Sequence, residues 1–208
     1  MRSDTDDGEW VGDDALWAPW TPDEVASRLT GSHARWYVVA GWAVDLFHGR
    51  RTRAHHDIEI GVARDDFALL RASFSEFEFD VVGSGRRWPL STNAFDEHFQ
   101  TWLRDAGPDT GPYHLDVFRD PHDGSEWICR RDAQIHLPYE QVVRHSDTGI
   151  PYMSPEIVLL FKAKHLREKD QQDFECLLPL LDAQQIEWLR TSLEIVHPDH
   201  EWITLLSQ

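Results

Sequence analysis

Two carboxylates two residues apart, Asp57 and Glu59, lie in a run that reads HHDIEIGV from His55 to Val62. In a β-strand, residues two apart point to one face. Asp57 and Glu59 would then stand side by side, with Ile58 and Ile60 turned into a core. Adjacent carboxylates repel each other unless a cation shares them, and a hard divalent ion such as Mg²⁺ suits an all-oxygen site. Upstream, Ala40-Gly41-Trp42 follows a hydrophobic run and precedes a short helical pattern. A small-residue turn ahead of a helix offers free backbone N–H groups to a phosphate. A third carboxylate, Asp116, sits in HLDVF, where Leu115 and Val117 alternate with it. Two metal-binding carboxylates plus a third on a neighbouring strand is a layout for nucleotidyl transfer. The third completes the metal site or takes the proton of the attacking hydroxyl. Solvated strand carboxylates are the plainer reading of a lone D-x-E, and the glycine turn upstream weighs against it here.

The basic residues extend this set. Arg50, Arg51 and Arg53 precede the carboxylate strand, and Arg53 is placed to reach a triphosphate. The lysines are Lys162, Lys164 and Lys169, all in one stretch. Lys162 and Lys164 diverge by about 200° on a helix, so one faces a site, and Lys162 follows the apolar run from Val158 to Phe161. Asp170 and Asp173, one helical turn apart, can orient a lysine or grip the acceptor. Trp88, Trp102 and Trp127 offer faces for a base, although such residues are more often core. His55 and His56 before Asp57 suggest a His-Asp phosphohydrolase pattern, but that pattern needs a helix where this segment reads as strand.

The elements that must hold these groups follow from the periodicity. Thr21-Pro22-Asp23-Glu24 is a helix start, with Thr21 as cap, Pro22 at the first position and Glu24 closing a capping box; the helix should run to about residue 30. Strands are expected at 35–40, 57–62, 76–82, 98–104 and 113–118, and short ones at 126–129, 134–137 and 141–144. Helices are expected at 42–47, ending at Gly49, and at 64–74, with Phe67, Leu70 and Phe74 on one face. Residues 83–93 read as loop and 107–111 as a turn-rich hairpin connection. From Ser154-Pro155 onward the pattern is helical, over about 155–166, 169–181, 182–196 and 198–206, with Gln185 able to close a capping box. The expected class is α+β: a mixed-sheet core with flanking helices over residues 21–150, an acidic lead-in at 1–20 and a C-terminal helical subdomain at 151–208.

Here the motifs carry a resemblance. Ala40-Gly41-Trp42-Ala43, Gly49-Arg50-Arg51-Thr52-Arg53 and His55-His56-Asp57-Ile58-Glu59 resemble the signature of the nucleotidyltransferase superfamily that includes DNA polymerase β. They are most similar to its aminoglycoside 2″-adenylyltransferase-like and lincosamide branch. Ser154-Pro155-Glu156 through Lys164 and Lys169-Asp170 to Asp173-Phe174 look like that branch's helical part. The resemblance implies a nucleotidyltransferase core that moves a nucleoside monophosphate, AMP from ATP or another NTP, onto a hydroxyl of a small molecule such as an aminoglycoside-like antibiotic. It implies Mg²⁺ or Mn²⁺ on Asp57, Glu59 and Asp116, and nucleotide contacts from Ala40, Gly41, Trp42, Arg53 and Lys162. Ala40 stands where the branch has its first glycine, so the turn must avoid positive φ there or carry strain. Glu59 replaces Asp. Two alternatives stand beside this reading: a toxin–antitoxin type nucleotidyltransferase acting on a protein or tRNA, and a catalytically silent nucleotide-binding scaffold.

Composition bounds these options. The chain has 208 residues, 41% of them hydrophobic, and a net charge of −17. That charge disfavours nucleic acid, whose binders are usually basic, and favours a cationic small substrate drawn in by long-range attraction. No apolar run approaches the roughly 18 residues of a membrane span. The acidic N-terminus lacks the apolar stretch of a secretory signal. Cys129 and Cys176 fit no metal spacing and read as reduced thiols in a cytoplasmic protein.

Overall fold

The computed structural model describes residues 8–11, 16–107 and 111–207. Residues 1–7 and 12–15 of the lead-in and residues 108–110 of the expected hairpin connection lie outside the described residues. The elements are β1 (Glu9–Trp10), α1 (Pro22–Arg28), β2 (Trp36–Val38), α2 (Ala40–His48), β3 (Glu59–Ala63), α3 (Phe67–Ala72), β4 (Phe77–Gly83), β5 (Arg86–Pro89), α4 (Ala94–Glu97), β6 (Gln100–Asp105) and β7 (Tyr113–Asp120). They continue with β8 (His122–Asp123), β9 (Glu126–Ile128), β10 (His136–Pro138), α5 (Tyr139–Val142), β11 (Val143–His145), β12 (Pro151–Met153), α6 (Pro155–Lys162), α7 (Glu168–Leu177), α8 (Ala183–Val196) and α9 (Glu201–Leu205). The fold is α+β with mixed strand pairing. Among the described residues, no helix is long and apolar enough to cross a membrane.

Contacts divide the chain into two interleaved units: residues 1–36 with 55–120, and residues 37–54 with 121–208. In the first unit the strand order is β1-β5-β4-β6-β7-β3. The β3–β7 pair is parallel, and β4 is antiparallel to both β5 and β6. α3 lays Phe67 on this sheet, its ring centroid 5.3 Å from that of Phe79 on β4. α1 has the capping box expected from its sequence: Thr21 accepts from the Glu24 N–H, and the Glu24 carboxylate accepts 2.7 Å from the Thr21 N–H.

The second unit pairs β2 with β12 in parallel and β12 with β11 antiparallel, and β10, β9 and β8 make a small antiparallel sheet. α6 packs against α2, α7 and α8. Its Ile157, Leu159 and Leu160 are fully buried, as are Leu189 and Leu193 of α8. Trp202 of α9 stacks on Phe174 of α7 with centroids 4.2 Å apart, and its indole Nε1 donates 2.7 Å to Gln171.

Several segments differ from the sequence expectation. Residues 83–93 are not all loop: Ser84 and Gly85, both at positive φ (50° and 74°), make a tight reversal from β4 into β5. This is the backbone twist two-residue hairpins prefer, and Arg86-Arg87 hid the strand because its outer positions are charged. The segment at 141–144 is the end of α5 followed by β11. The strand expected at 35–40 stops at Val38, because Ala40 already belongs to α2. The carboxylate strand begins at Glu59 rather than at Asp57. The helix after Ser154 ends at Lys162, and Leu166, at φ 38°, breaks the chain before α7.

Candidate active site

In the first unit, β3 and β7 run in parallel register with Glu59 opposite Asp116. Directly paired residues share a face. Asp57 precedes the strand, yet the alternation persists: Asp57 is exposed, Glu59 half-buried, and Ile58 and Ile60 fully buried. Asp116 is only 4% exposed, between Leu115 and Val117, which face the core at 0%. Glu59 and Asp116 are therefore paired on the sheet with Asp57 just ahead of the strand, and the three are graded from solvent to interior.

That grading sets the electrostatics. Burial pushes the Asp116 carboxyl well above the usual range, and the charges of Glu59 and Asp57 push it the same way. Opposing them are a 2.6 Å hydrogen bond donated by Gln100 Nε2 to Asp116 Oδ2 and the nearby indole N–H of Trp102. Asp116 Oδ1 is buried and has no hydrogen-bond partner. Among the described residues, no three His, Cys, Asp or Glu side chains form a ready-made metal cluster. The fit to a divalent ion rests on the donor set: three carboxylates, one with a buried oxygen that makes no hydrogen bond, is the chemistry a hard cation satisfies.

The second unit holds the glycine turn and the basic residues. Ala40 opens α2 at φ 54°, so the strain the missing glycine implied is carried. Its cap residue, Val39, supplies no side-chain acceptor, and the first N–H groups of a helix have no partner within it. The C-terminal end closes on Gly49 in the left-handed conformation, φ 68°. Asp45, buried in α2, accepts 2.9 Å from the Thr52 N–H and also from its hydroxyl, which ties down the arginine segment. Arg51 lies over the Trp42 ring, 5.3 Å from its centroid.

Lys162 is buried at the end of α6, its Nζ 2.7 Å from Asp173 Oδ2 and 3.2 Å from Asp170 Oδ1. Arg53 Nη2 reaches the same Asp173 oxygen at 3.3 Å, and Arg167 Nε holds Asp170 at 2.7 Å. Burial raises the Asp170 carboxyl, but the Arg167 hydrogen bond and the Lys162 charge outweigh it, and the net direction is down. Arg53 and Lys162, expected separately as phosphate contacts, are thus joined through Asp173. The lysine–aspartate pairing is the orienting role the spacing of Asp170 and Asp173 suggested. Sequence reasoning missed Gln100, a neutral residue that only the β6–β7 register identifies. Trp102, weighed there as a face for a base but more often a core residue, sits directly opposite Asp116.

The chain is similar to known proteins in part of its sequence and in its fold. Residues 23–107 match the family described as aminoglycoside-2''-adenylyltransferase. Among solved structures, the antibiotic-resistance factor ANT(2'')-Ia is similar at TM-score 0.53 and 14% identity, covering 83% of this chain and 89% of that one. Its complex with adenylyl-2"-tobramycin gives TM-score 0.56 at 15% identity, covering 83% and 94%. The lincomycin-bound lincosamide antibiotic adenylyltransferase LnuA gives TM-score 0.52 at 18% identity, covering 76% and 95%. No curated protein sequence matches the chain significantly. The chain has the nucleotidyltransferase fold. In sequence the likeness is to the aminoglycoside-2''-adenylyltransferase family, over residues 23–107; to the lincosamide enzyme it is a likeness of fold.

Proposed function

We propose that this chain is an adenylyltransferase-like enzyme that moves AMP from ATP onto a hydroxyl of a small cationic molecule of the aminoglycoside kind. The observation that carries the reading is the Glu59–Asp116 pairing, with Asp57 just ahead of the strand and a buried Asp116 oxygen that makes no hydrogen bond. Asp57, Glu59 and Asp116 would hold Mg²⁺ or Mn²⁺, which supplies charge neutralisation on the triphosphate. Asp116 takes the proton of the acceptor hydroxyl as its oxygen bonds to the α-phosphorus and the bond to pyrophosphate breaks. The nucleotide contacts that the family resemblance implies for this reading are Ala40, Gly41, Trp42, Arg53 and Lys162. Catalysis of this kind is positioning and charge stabilisation. The matched family and the ligands of the similar structures, adenylyl-2"-tobramycin and lincomycin, support an antibiotic-like acceptor. The net charge of −17 supports a cation.

The test is pyrophosphate release from each of the four ribonucleoside triphosphates with Mg²⁺, across a panel of aminoglycosides and lincosamides, with Asp57→Asn as control. Acceptor-dependent release from ATP that disappears in the variant is the result expected. ATP binding without release for every acceptor returns the silent scaffold, and no binding of any triphosphate overturns the nucleotide reading.

A further inference from the structure

The two oxygens of Asp116 have different surroundings. Oδ2 accepts the 2.6 Å hydrogen bond from Gln100 Nε2, whereas Oδ1 is buried with no hydrogen-bond partner. Gln100 is itself paired with Phe118 and Trp102 with Asp116, so the Gln100 side chain reaches Asp116 diagonally across the β6–β7 pair. Trp102 comes near enough to favour the charged carboxylate, yet its buried Nε1 makes no hydrogen bond of its own. Glu59, the partner on β3, is another acceptor and cannot satisfy Oδ1 while both are ionised.

A carboxylate turns freely about its last torsion, which is broad and two-fold. One donor on one oxygen fixes its plane and decides which oxygen remains available. The donor's type matters as much as its place. An arginine or lysine here would neutralise Asp116 and compete with any cation brought to it. A glutamine orients the carboxylate and leaves its charge in place. We propose that Gln100 is a positioning residue, which commits Oδ2 of Asp116 and presents Oδ1 to the divalent ion and the acceptor hydroxyl. This inference rests on the nucleotidyltransferase reading above and adds to it a neutral residue on the neighbouring strand.

The test compares wild type with Gln100→Met, which keeps the length and removes the donor, and with Gln100→Ala, which removes the donor without adding a charge. Asp116→Asn is the control. Binding of Mn²⁺ is followed by calorimetry with a non-hydrolysable ATP analogue, and turnover is measured separately. Loss of a residue that orients a metal ligand costs about 10- to 100-fold in metal affinity or activity. Both Gln100 variants should weaken Mn²⁺ by that order and lower kcat similarly, while KM for ATP at saturating metal stays at the wild-type value. If Gln100→Met fails to fold, Gln100→Ala carries the comparison. Wild-type Mn²⁺ affinity and kcat in the Gln100 variants, with Asp116→Asn defective, overturns the role of Gln100 alone. An Asp116→Asn protein that binds Mn²⁺ and turns over normally overturns the reading beneath it. A Gln100 defect that raises KM for ATP and leaves Mn²⁺ binding intact marks a structural role and also overturns the proposal.

Discussion

Glu59 on β3 and Asp116 on β7 are direct partners in a parallel pairing, and only Asp116 is buried. Their proximity costs folding free energy, because burial and the Glu59 charge both oppose ionisation of Asp116. A protein keeps such a pair where a cation or a proton-transfer step uses it.

The first prediction follows from that cost. Asp116→Asn keeps the shape and removes the buried charge. In metal-free buffer at neutral pH the variant should melt above wild type, since each 1 kcal/mol is worth about 2–4 °C in a chain of this size. Its turnover should fall by about 10²- to 10⁴-fold, the range for a lost general base. Calorimetric scans beside a pyrophosphate assay check both. A lower Tm would show that Asp116 is structural.

Ala40 supplies the second. Its backbone sits at φ 54°, and a non-glycine residue in that region carries about 1–2 kcal/mol of steric strain. Glycine would relieve it and lose part of the gain to unfolded-state entropy, about 0.5–1 kcal/mol. Ala40→Gly should therefore stabilise by about 0.5–1 kcal/mol. A denaturant midpoint that does not rise, at constant m-value, argues against strain at this turn.

Much of this was legible in the chain because it is local. The capping boxes at Thr21 and Asp182 need only four residues each, and both form. The alternation of Ile58 and Ile60 against Asp57 and Glu59 is a period-two pattern, and it holds even though the strand itself starts only at Glu59. What escaped is pairwise and distant. Gln100 matters only through the β6–β7 register, and Arg53 shares Asp173 with Lys162 although 120 residues of chain separate Arg53 from Asp173. The interleaving of the two units is equally invisible to a reading that moves along the chain, because residues 37–54 group with residues 121–208.

The histidines between α8 and α9 give a pH prediction. His200 caps α9: its Nδ1 accepts 3.1 Å from the Trp202 N–H while Nε2 lies 3.1 Å from the Ala163 carbonyl. Only a neutral ring with its proton on Nε2 satisfies both. His197 Nε2 lies 3.3 Å from Arg131 Nη1 and must likewise accept. Burial lowers both rings, with Arg131, His200 and Lys164 adding to the effect at His197; at His200 the Ala163 hydrogen bond and Glu201 work against it. Both folded values lie below the ordinary histidine value of 6.5. A folded value below the unfolded one means stability that is full above the unfolded value and is lost as pH falls through the folded one. Tm should therefore drop on acidification below that point, and less steeply in His200→Asn, whose amide caps without titrating. Parallel slopes in the two proteins would remove His200 as the cause.

Lys162 gives the last. Its ammonium bridges Asp170 and Asp173, both buried, at 3.2 and 2.7 Å. Lys162→Met would leave two buried carboxylates, each retaining one guanidinium, Arg167 on Asp170 and Arg53 on Asp173. Breaking a buried pair costs about 3–5 kcal/mol when the remaining charge is uncompensated. The retained arginines put this variant near the low end, about 3 kcal/mol. Adding Asp173→Asn removes one stranded charge and should restore part of the loss, which a double-mutant cycle in denaturant reads directly. If the two substitutions simply add, Lys162 and Asp173 are not energetically coupled. If stability recovers in the double variant and turnover does not, the charge of Lys162 serves the chemistry as well as the fold.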